Sequence, residues 1–121
     1  MIQKNILFLI PARKGSKGLK NKNMRLLGEK PLILYSIDFA KKISTNSDFI
    51  CISTNDESII ELCEKNKISV PFFRPNNISN DDSSSYDVIN HAVSYYEKKK
   101  IFFKFIMLLQ PTSPYRIPNN F

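Results

Sequence analysis

Cysteine and long apolar runs are both scarce in this sequence. Its two cysteines, Cys51 and Cys63, stand in apolar segments without the spacing of metal ligands, so we expect reduced core residues and no disulfide. No apolar run approaches the ~18 residues that a membrane span requires. The short apolar run at residues 6–10 ends at a proline and soon meets an arginine, which does not fit a signal peptide. We therefore expect a cytoplasmic protein without a membrane partner.

Acidic side chains are missing from the first 25 residues, which hold seven basic ones. The remaining residues carry equal numbers of both signs, so the net charge of +7 belongs to this one segment. Charge concentrated in one segment indicates a single anion-binding site. Nucleic-acid-binding proteins more often spread Lys and Arg along a whole face, so we expect no nucleic-acid partner. A nucleic-acid- or nucleotide-binding module without catalysis is the alternative.

The pattern of apolar residues predicts one α/β domain over residues 1–121. Four apolar segments are typical of buried strands: residues 5–10, 49–53, 70–73 and 105–109. Helical patterns lie between them, and they start near Pro31, near Asp56 and near Ser84. Strands that alternate with helices predict a mainly parallel sheet covered by helices on both faces.

A polar loop follows each predicted strand, and in a parallel sheet such loops meet where ligands bind. The first strand is expected to stop at Pro11, which cannot donate a sheet hydrogen bond. The next loop contains Gly15, Ser16 and Gly18, which can gather backbone N–H groups and a hydroxyl around a phosphate. Arg13 adds positive charge there. The spacing matches neither the P-loop nor the Rossmann glycine fingerprint, so a phosphate site of another type is predicted.

Four blocks of sequence occupy those loops. They are residues 10–23 (IPARKGSKGLKNKN), 53–56 (STND), 74–75 (RP) with 81–85 (DDSSS), and 109–116 (LQPTSPYR). Together they resemble the N-acylneuraminate cytidylyltransferases, and the resemblance spans almost the whole chain. It implies a Rossmann-like nucleotide-diphospho-sugar transferase domain. The implied reaction transfers CMP from CTP to the anomeric hydroxyl of a nine-carbon acidic sugar of the N-acetylneuraminic acid type and releases pyrophosphate, which makes CMP-sialic acid for surface glycans.

The resemblance also implies roles for individual residues. Those expected to bind the nucleotide are Arg13, Ser16, Lys17, Lys22, Asn23, Arg74, Ser83 and Ser85. Those expected to face the sugar are Gln110, Thr112 and Ser113. Arg13, Lys17 and Lys22 are expected to be catalytic, because fixed cations stabilise the charge that develops on the phosphate oxygens and the leaving pyrophosphate.

Mg²⁺ is the cofactor that the resemblance implies, yet the aspartates that bind it in this family have no counterpart before Phe121. Asp81 and Asp82 are adjacent acids, but a solvated loop before a helix accounts for them better. We therefore expect the metal ligands to lie outside this chain. We also expect the domain to continue beyond Phe121, and the full-length protein to be a homodimer.

Simpler explanations exist for several of these residues. The basic loop fits a surface turn, residues 83–85 a helix cap, and residues 110–114 a turn imposed by two prolines. His91 is expected to pack rather than to catalyse, and Asp56 to cap a helix. Two alternatives stay open for the function: the same reaction with pseudaminic, legionaminic or 3-deoxy-octulosonic acid, and a catalytically incomplete nucleotide-binding fragment.

Overall fold

The computed structural model describes residues 1–12, 26–27, 30–75 and 85–110 of the chain. Its elements follow in the order β1 (Ile2–Ala12), β2 (Leu26–Leu27), β3 (Lys30–Pro31), α1 (Leu32–Ile43), β4 (Phe49–Thr54), α2 (Glu57–Lys65), α3 (Ser85–Lys98) and β5 (Ile101–Leu108). Three of the strands form a parallel sheet in the order β4-β1-β5, while β2 and β3 form a short antiparallel pair. The predicted α/β architecture with a mainly parallel sheet is confirmed.

β1 is the central strand of the sheet. Its Leu7 pairs with Phe49 of β4 on one side and with Ile106 of β5 on the other. The stretch from Leu7 to Ile10 is fully buried. This burial explains the unbroken apolar run, because a parallel strand covered on both faces has no polar side to present.

Helices cover both faces of the sheet and form two cores. α1 and α2 pack on one face, where Ile37 and Ile59 meet Phe8 of β1. α3 packs on the other face, where Ala92 meets Leu7. Adjacent strand residues point to opposite faces, so neighbouring residues of β1 enter different cores. Each large apolar side chain buried in this way contributes about 1.5–3 kcal/mol relative to an exposed one.

The helix starts agree with the sequence analysis. Pro31 is the N-cap of α1, and α3 begins at Ser85, one residue beyond the expected start. Asp56 caps α2, because its side chain accepts a hydrogen bond from the backbone N–H of Ser58. Among the described residues, no helix has the length and apolar character to cross a membrane.

The predicted strands at residues 70–73 and 105–109 differ from the structure in extent. Residues 70–73 form only an isolated bridge, in which Phe73 lies parallel to Thr54. Pro71 has no N–H to donate, so a longer ladder with β4 would lose a bond in its middle. The last strand begins at Ile101 rather than at residue 105. The chain already reaches the sheet directly after α3, because the Ile2 N–H donates a hydrogen bond to the Lys100 carbonyl at 2.7 Å.

The expected end of the first strand at Pro11 is wrong, since β1 continues to Ala12 and pairs Pro11 with Ser53. The Leu9 carbonyl points toward β5, where it accepts from the Leu109 N–H at 2.8 Å. Residues two apart on a strand point to the same side, so the missing N–H of Pro11 faces the region beyond the end of β5. No sheet bond is lost there, which explains why the proline is tolerated.

Both cysteines are free and buried, which confirms the expectation that they are core residues. Burial raises the pKa of Cys51 to about 12, although a hydrogen bond with Tyr96 works in the opposite direction. Burial likewise raises the pKa of Cys63 to about 11, with a smaller contribution from the charge of Glu64. Both thiols therefore stay protonated at neutral pH and behave as small apolar side chains.

Asp48 ties the loop between α1 and β4 to β1. One of its carboxylate oxygens accepts from the Ile6 backbone N–H at 3.0 Å. The other accepts from the backbone N–H of Thr45 at 2.8 Å and from the Thr45 hydroxyl at 3.1 Å. The backbone bond from Thr45 is the largest cause of a lowered pKa for Asp48.

We predict that Asp48→Asn weakens the dependence of stability on pH. The folded pKa of Asp48 lies below its ordinary value of 3.8, so its contribution is complete above that value and is lost as the pH falls through the folded pKa. Urea unfolding of both proteins from about pH 6 to about pH 2 measures this difference. Glu61→Gln, which removes an exposed carboxylate of α2, is the control and should keep the wild-type profile. Identical profiles of stability against pH for Asp48→Asn and the wild type would contradict the lowered pKa of Asp48 in the folded state.

Candidate functional site

The carboxyl ends of the three parallel strands meet at one edge of the sheet, which we call the rim. Ala12 ends β1, Thr54 ends β4, and Gln110 follows the end of β5. α3 runs toward the start of β5, so its first residue, Ser85, also lies toward the rim. Open parallel sheets bind their ligands at this end. The rim is therefore the candidate site.

Thr54 joins three segments at the rim. Its hydroxyl donates to the carbonyl of Ala12 and accepts from the backbone N–H of Asp56 at 2.9 Å. Its own carbonyl accepts from the backbone N–H of Arg74 at 2.7 Å. Thr54 is fully buried, so water cannot replace these partners. The end of β1, the start of α2 and the backbone at residue 74 are thus held at fixed positions relative to one another.

Arg74 is a buried arginine at the rim, with only 2% of its surface exposed. Its Nη2 donates to the carbonyl of Ser53 at 3.1 Å. A guanidinium ion is costly to bury, and hydrogen bonds to carbonyl groups offset part of that cost. Its planar fork of donors also matches the geometry of a phosphate group. The structure thus places one predicted nucleotide-binding residue at the end of β4, where its role as a phosphate ligand stays a prediction.

The described part of the rim does not fit a magnesium site. The acidic residue that bonds to Thr54 is Asp56. Its Oδ1 accepts a hydrogen bond from the Ser58 N–H at 2.9 Å, which confirms its role as a helix cap. Within residues 1–12, 26–27, 30–75 and 85–110, no three His, Cys, Asp or Glu side chains are grouped so that they could hold a metal ion. We therefore derive no chemical step from a metal at these residues.

Three predicted site residues lie in the described part of the chain. Arg74 is buried at the rim, whereas Ser85 and Gln110 are exposed. All three residues lie toward the same end of the sheet, and their roles stay predictions. The predicted residues outside the described part are Arg13, Ser16, Lys17, Lys22, Asn23, Ser83, Thr112 and Ser113, together with Asp81 and Asp82.

Two residues that sequence reasoning did not assign to the site are part of its construction. Thr54 was visible as the last residue of a buried strand before a helix cap, which is a usable signal. His91, in contrast, contacts the segment before Arg74: its ring lies 4.7 Å from that of Phe72 in a T-shaped arrangement. Burial and the positive charge of Arg74 lower the pKa of His91. No local pattern relates residue 91 to residue 74, so this neighbourhood follows from the fold alone.

A cavity of about 490 Å³ lies at the opposite end of the sheet, near the start of β4. Lys41, Lys67 and Lys99 line it, and each stands in the last turn of a helix or just after its end. Helix carboxyl ends carry partial negative charge, which favours lysines and disfavours bound anions. The helix ends therefore account for these lysines, and the cavity is not a candidate phosphate site.

Comparison with known proteins identifies the class. A parallel α/β sheet with a buried arginine at its rim is consistent with a Rossmann-like nucleotidyltransferase domain. Residues 7–115 match the sequence profile of the cytidylyltransferase family. The chain belongs to this family.

Individual relatives support the same assignment. CMP-N,N'-diacetyllegionaminic acid synthase from Legionella pneumophila is 37% identical over 115 residues, which cover 95% of this chain and 49% of the relative. N-acylneuraminate cytidylyltransferase from Escherichia coli is 39% identical over 111 residues, covering 92% of this chain and 25% of the relative. Pseudaminic acid cytidylyltransferase from Campylobacter jejuni is 37% identical over 108 residues, which cover 89% of this chain and 46% of the relative. The chain thus spans between a quarter and a half of the length of these relatives.

We predict that Thr54→Val destabilises the protein by about 1–3 kcal/mol, because the backbone groups of Ala12 and Asp56 lose their buried partner while the side-chain volume is kept. Urea unfolding measures the change. Thr54→Ser keeps the hydroxyl and serves as the matched control, with a smaller loss from the deleted methyl group. A Thr54→Val protein as stable as Thr54→Ser would show that the hydroxyl does not hold the rim together.

Proposed function

We propose that this chain forms the CTP-binding part of a cytidylyltransferase that transfers CMP to a nine-carbon acidic sugar. The observation that carries the proposal is the buried Arg74, whose backbone and guanidinium are both hydrogen-bonded to the end of β4 at the ligand-binding rim. Membership of the cytidylyltransferase family supports CTP as the nucleotide. The position of this cation favours the rim as the place where the CTP phosphates bind.

The chemistry requires positive charge at that end. The anomeric hydroxyl of the sugar forms a bond to the α-phosphorus of CTP, the bond to pyrophosphate breaks, and the hydroxyl proton is released. Negative charge develops on the transferred phosphate and on the leaving pyrophosphate, so fixed cations lower the barrier. We assign this role to Arg13, Lys17 and Lys22 of the basic loop after β1. Arg74 supplies a pre-positioned charge at the end of β4, the strand that pairs with β1.

The proposed sugar is of the N-acetylneuraminic acid type, and the product is CMP-sialic acid for surface glycans. The relatives from Escherichia coli and Streptococcus agalactiae, which are named N-acylneuraminate cytidylyltransferases, support this choice. Legionaminic and pseudaminic acids are the second candidates, because the Legionella and Campylobacter relatives are named for them. We propose that Gln110, with Thr112 and Ser113, faces the sugar, since β5, which precedes Gln110, ends at the rim.

Three further proposals rest on the family resemblance. We propose Mg²⁺ as the cofactor, with ligands outside the described residues. It would neutralise phosphate charge when bound. We also propose a cytoplasmic location, and a homodimer for the full-length protein.

We predict that Arg13→Ala binds CTP at least about tenfold more weakly with the fold intact, because a charged hydrogen bond to phosphate contributes roughly 1.5–3 kcal/mol. Calorimetric titration of the 121-residue chain with CTP measures this loss. Lys42→Ala removes an exposed cation from the last turn of α1, away from the rim, and is the control with unchanged affinity. Unchanged CTP affinity in a folded Arg13→Ala variant would contradict the proposal that Arg13 binds the phosphates of CTP.

The same titration separates the proposed enzyme from the binding-module alternative. GTP and a short single-stranded oligonucleotide are the comparators. Selective and saturable CTP binding supports the proposal. Stronger binding of the oligonucleotide, with a steep loss of affinity as salt rises, would overturn it in favour of a nucleic-acid-binding module.

We predict that Gln110→Ala weakens the binding of N-acetylneuraminic acid in the presence of CTP by several-fold and leaves CTP affinity nearly unchanged. Gln110 is exposed at the rim, so the fold should tolerate its truncation. Ser85→Ala, which alters an exposed residue assigned to the nucleotide, should show the reverse pattern. Loss of CTP binding in Gln110→Ala with sugar binding retained would show that the two halves of the site are reversed.

A further inference from the structure

His91 is the only histidine of the chain and lies in the middle of α3. Its ring meets the ring of Phe72 edge to face, with centroids 4.7 Å apart and planes at 88°. The ring of Phe72 also contacts Tyr95, one turn further along α3, at 5.0 Å. α3 therefore holds Phe72 between two aromatic rings, two residues before Arg74.

The imidazole is held by packing on one side and is poorly suited to carry charge. Its Nδ1 is buried and has no hydrogen-bond partner among the described residues. A protonated ring would need an acceptor or water for that N–H group, because an unpaired buried donor costs about 1–3 kcal/mol. The neutral ring is therefore the form that fits this packing.

Among the described residues, the charged and titratable groups near His91 come from two segments. Arg74 approaches from the segment that follows the bridge at Phe73, and Lys98 lies on α3 itself. Asp87 and Tyr95 are one turn before and one turn after His91 on the same helix. Both cations repel a proton on the imidazole, and after burial Arg74 is the larger cause of the lowered pKa.

We infer that His91 is a positioning residue for Arg74: its ring packs against Phe72 and so holds the backbone of residues 72–74. The positive charge of Arg74 also acts on the His91 imidazole. The link to a ligand rests on the proposed function, in which Arg74 contacts a phosphate of CTP, whereas the link between His91 and the segment of Arg74 does not.

The direction of the coupling follows from charge. A phosphate bound at Arg74 offsets the repulsion of the guanidinium, so it raises the pKa of His91 toward the ordinary value of 6.5. Binding and protonation then favour each other. The charge-dependent contribution of His91 to CTP affinity is therefore complete below the free-state pKa and is lost as the pH rises through the bound-state pKa, whereas the contribution of its ring packing remains.

NMR of the single histidine tests the coupling without interference from other imidazoles. We expect the His91 pKa of the wild-type chain to lie below 6.5 and to rise toward that value in Arg74→Gln. Arg74→Lys keeps the charge and should keep the lowered pKa, while Lys98→Gln should give a smaller rise. Equal His91 pKa values in Arg74→Gln and the wild type would overturn the inference.

The wild-type protein alone supplies a second test, which does not depend on whether Arg74→Gln folds. Nuclear Overhauser contacts should join the ring protons of His91 and Phe72, and their absence would overturn the packing part of the inference. Addition of CTP should raise the His91 pKa. If Arg74→Gln shifts the pKa but CTP does not bind, the proposed function fails while the link between His91 and Arg74 stands.

Substitutions at residue 91 separate positioning from general stability. His91→Phe keeps a ring against Phe72 and should retain CTP affinity at about pH 8, whereas His91→Ala should lose several-fold. The pH profile of CTP affinity should be flatter in His91→Phe than in the wild type, and the ionisation of CTP itself cancels in that comparison. Asn90→Ala, at an exposed position of α3, is the control. Equal affinity losses in the Phe and Ala variants would contradict positioning by the ring.

Discussion

The parallel pairing of β1 with β4 and β5 is the constraint on which the site depends. Because the three strands run in one direction, the residues that follow them meet at one rim, and Ala12, Thr54 and Gln110 lie there although they are far apart in sequence. An antiparallel partner would carry its loop to the opposite end of the sheet. The site therefore follows from strand direction before any individual side chain is considered.

At the rim, a small set of buried hydrogen bonds converts that topology into fixed geometry. Thr54 bonds to Ala12, Asp56 and Arg74, and Ser53 accepts from the guanidinium of Arg74. These bonds offset the cost of desolvating an arginine and leave its charge at a defined place. A cation held in this way needs little reorganisation when an anionic ligand arrives, which is the arrangement that phosphate chemistry favours.

The partial charges at the helix ends make the two ends of the sheet electrostatically different. α1, α2 and α3 all end near the start of β4, where lysines complement the partial negative charge of the helix ends. The helices begin toward the rim, where free N–H groups carry partial positive charge. The partial charges of the backbone thus favour anions at the end of the sheet where Arg74 lies.

Local patterns were sufficient for the parts of the fold that local physics controls. The buried run of β1, the helix cap at Asp56 and the apolar setting of Cys51 could all be read from neighbouring residues, and the loop blocks pointed to the family. Only the tertiary structure decided that Pro11 stays within a strand, because that depends on where β5 ends. It also decided the burial of Arg74 and the contact of His91 with Phe72. These features join segments distant in sequence, and a contact across the fold leaves no periodic signal in either segment.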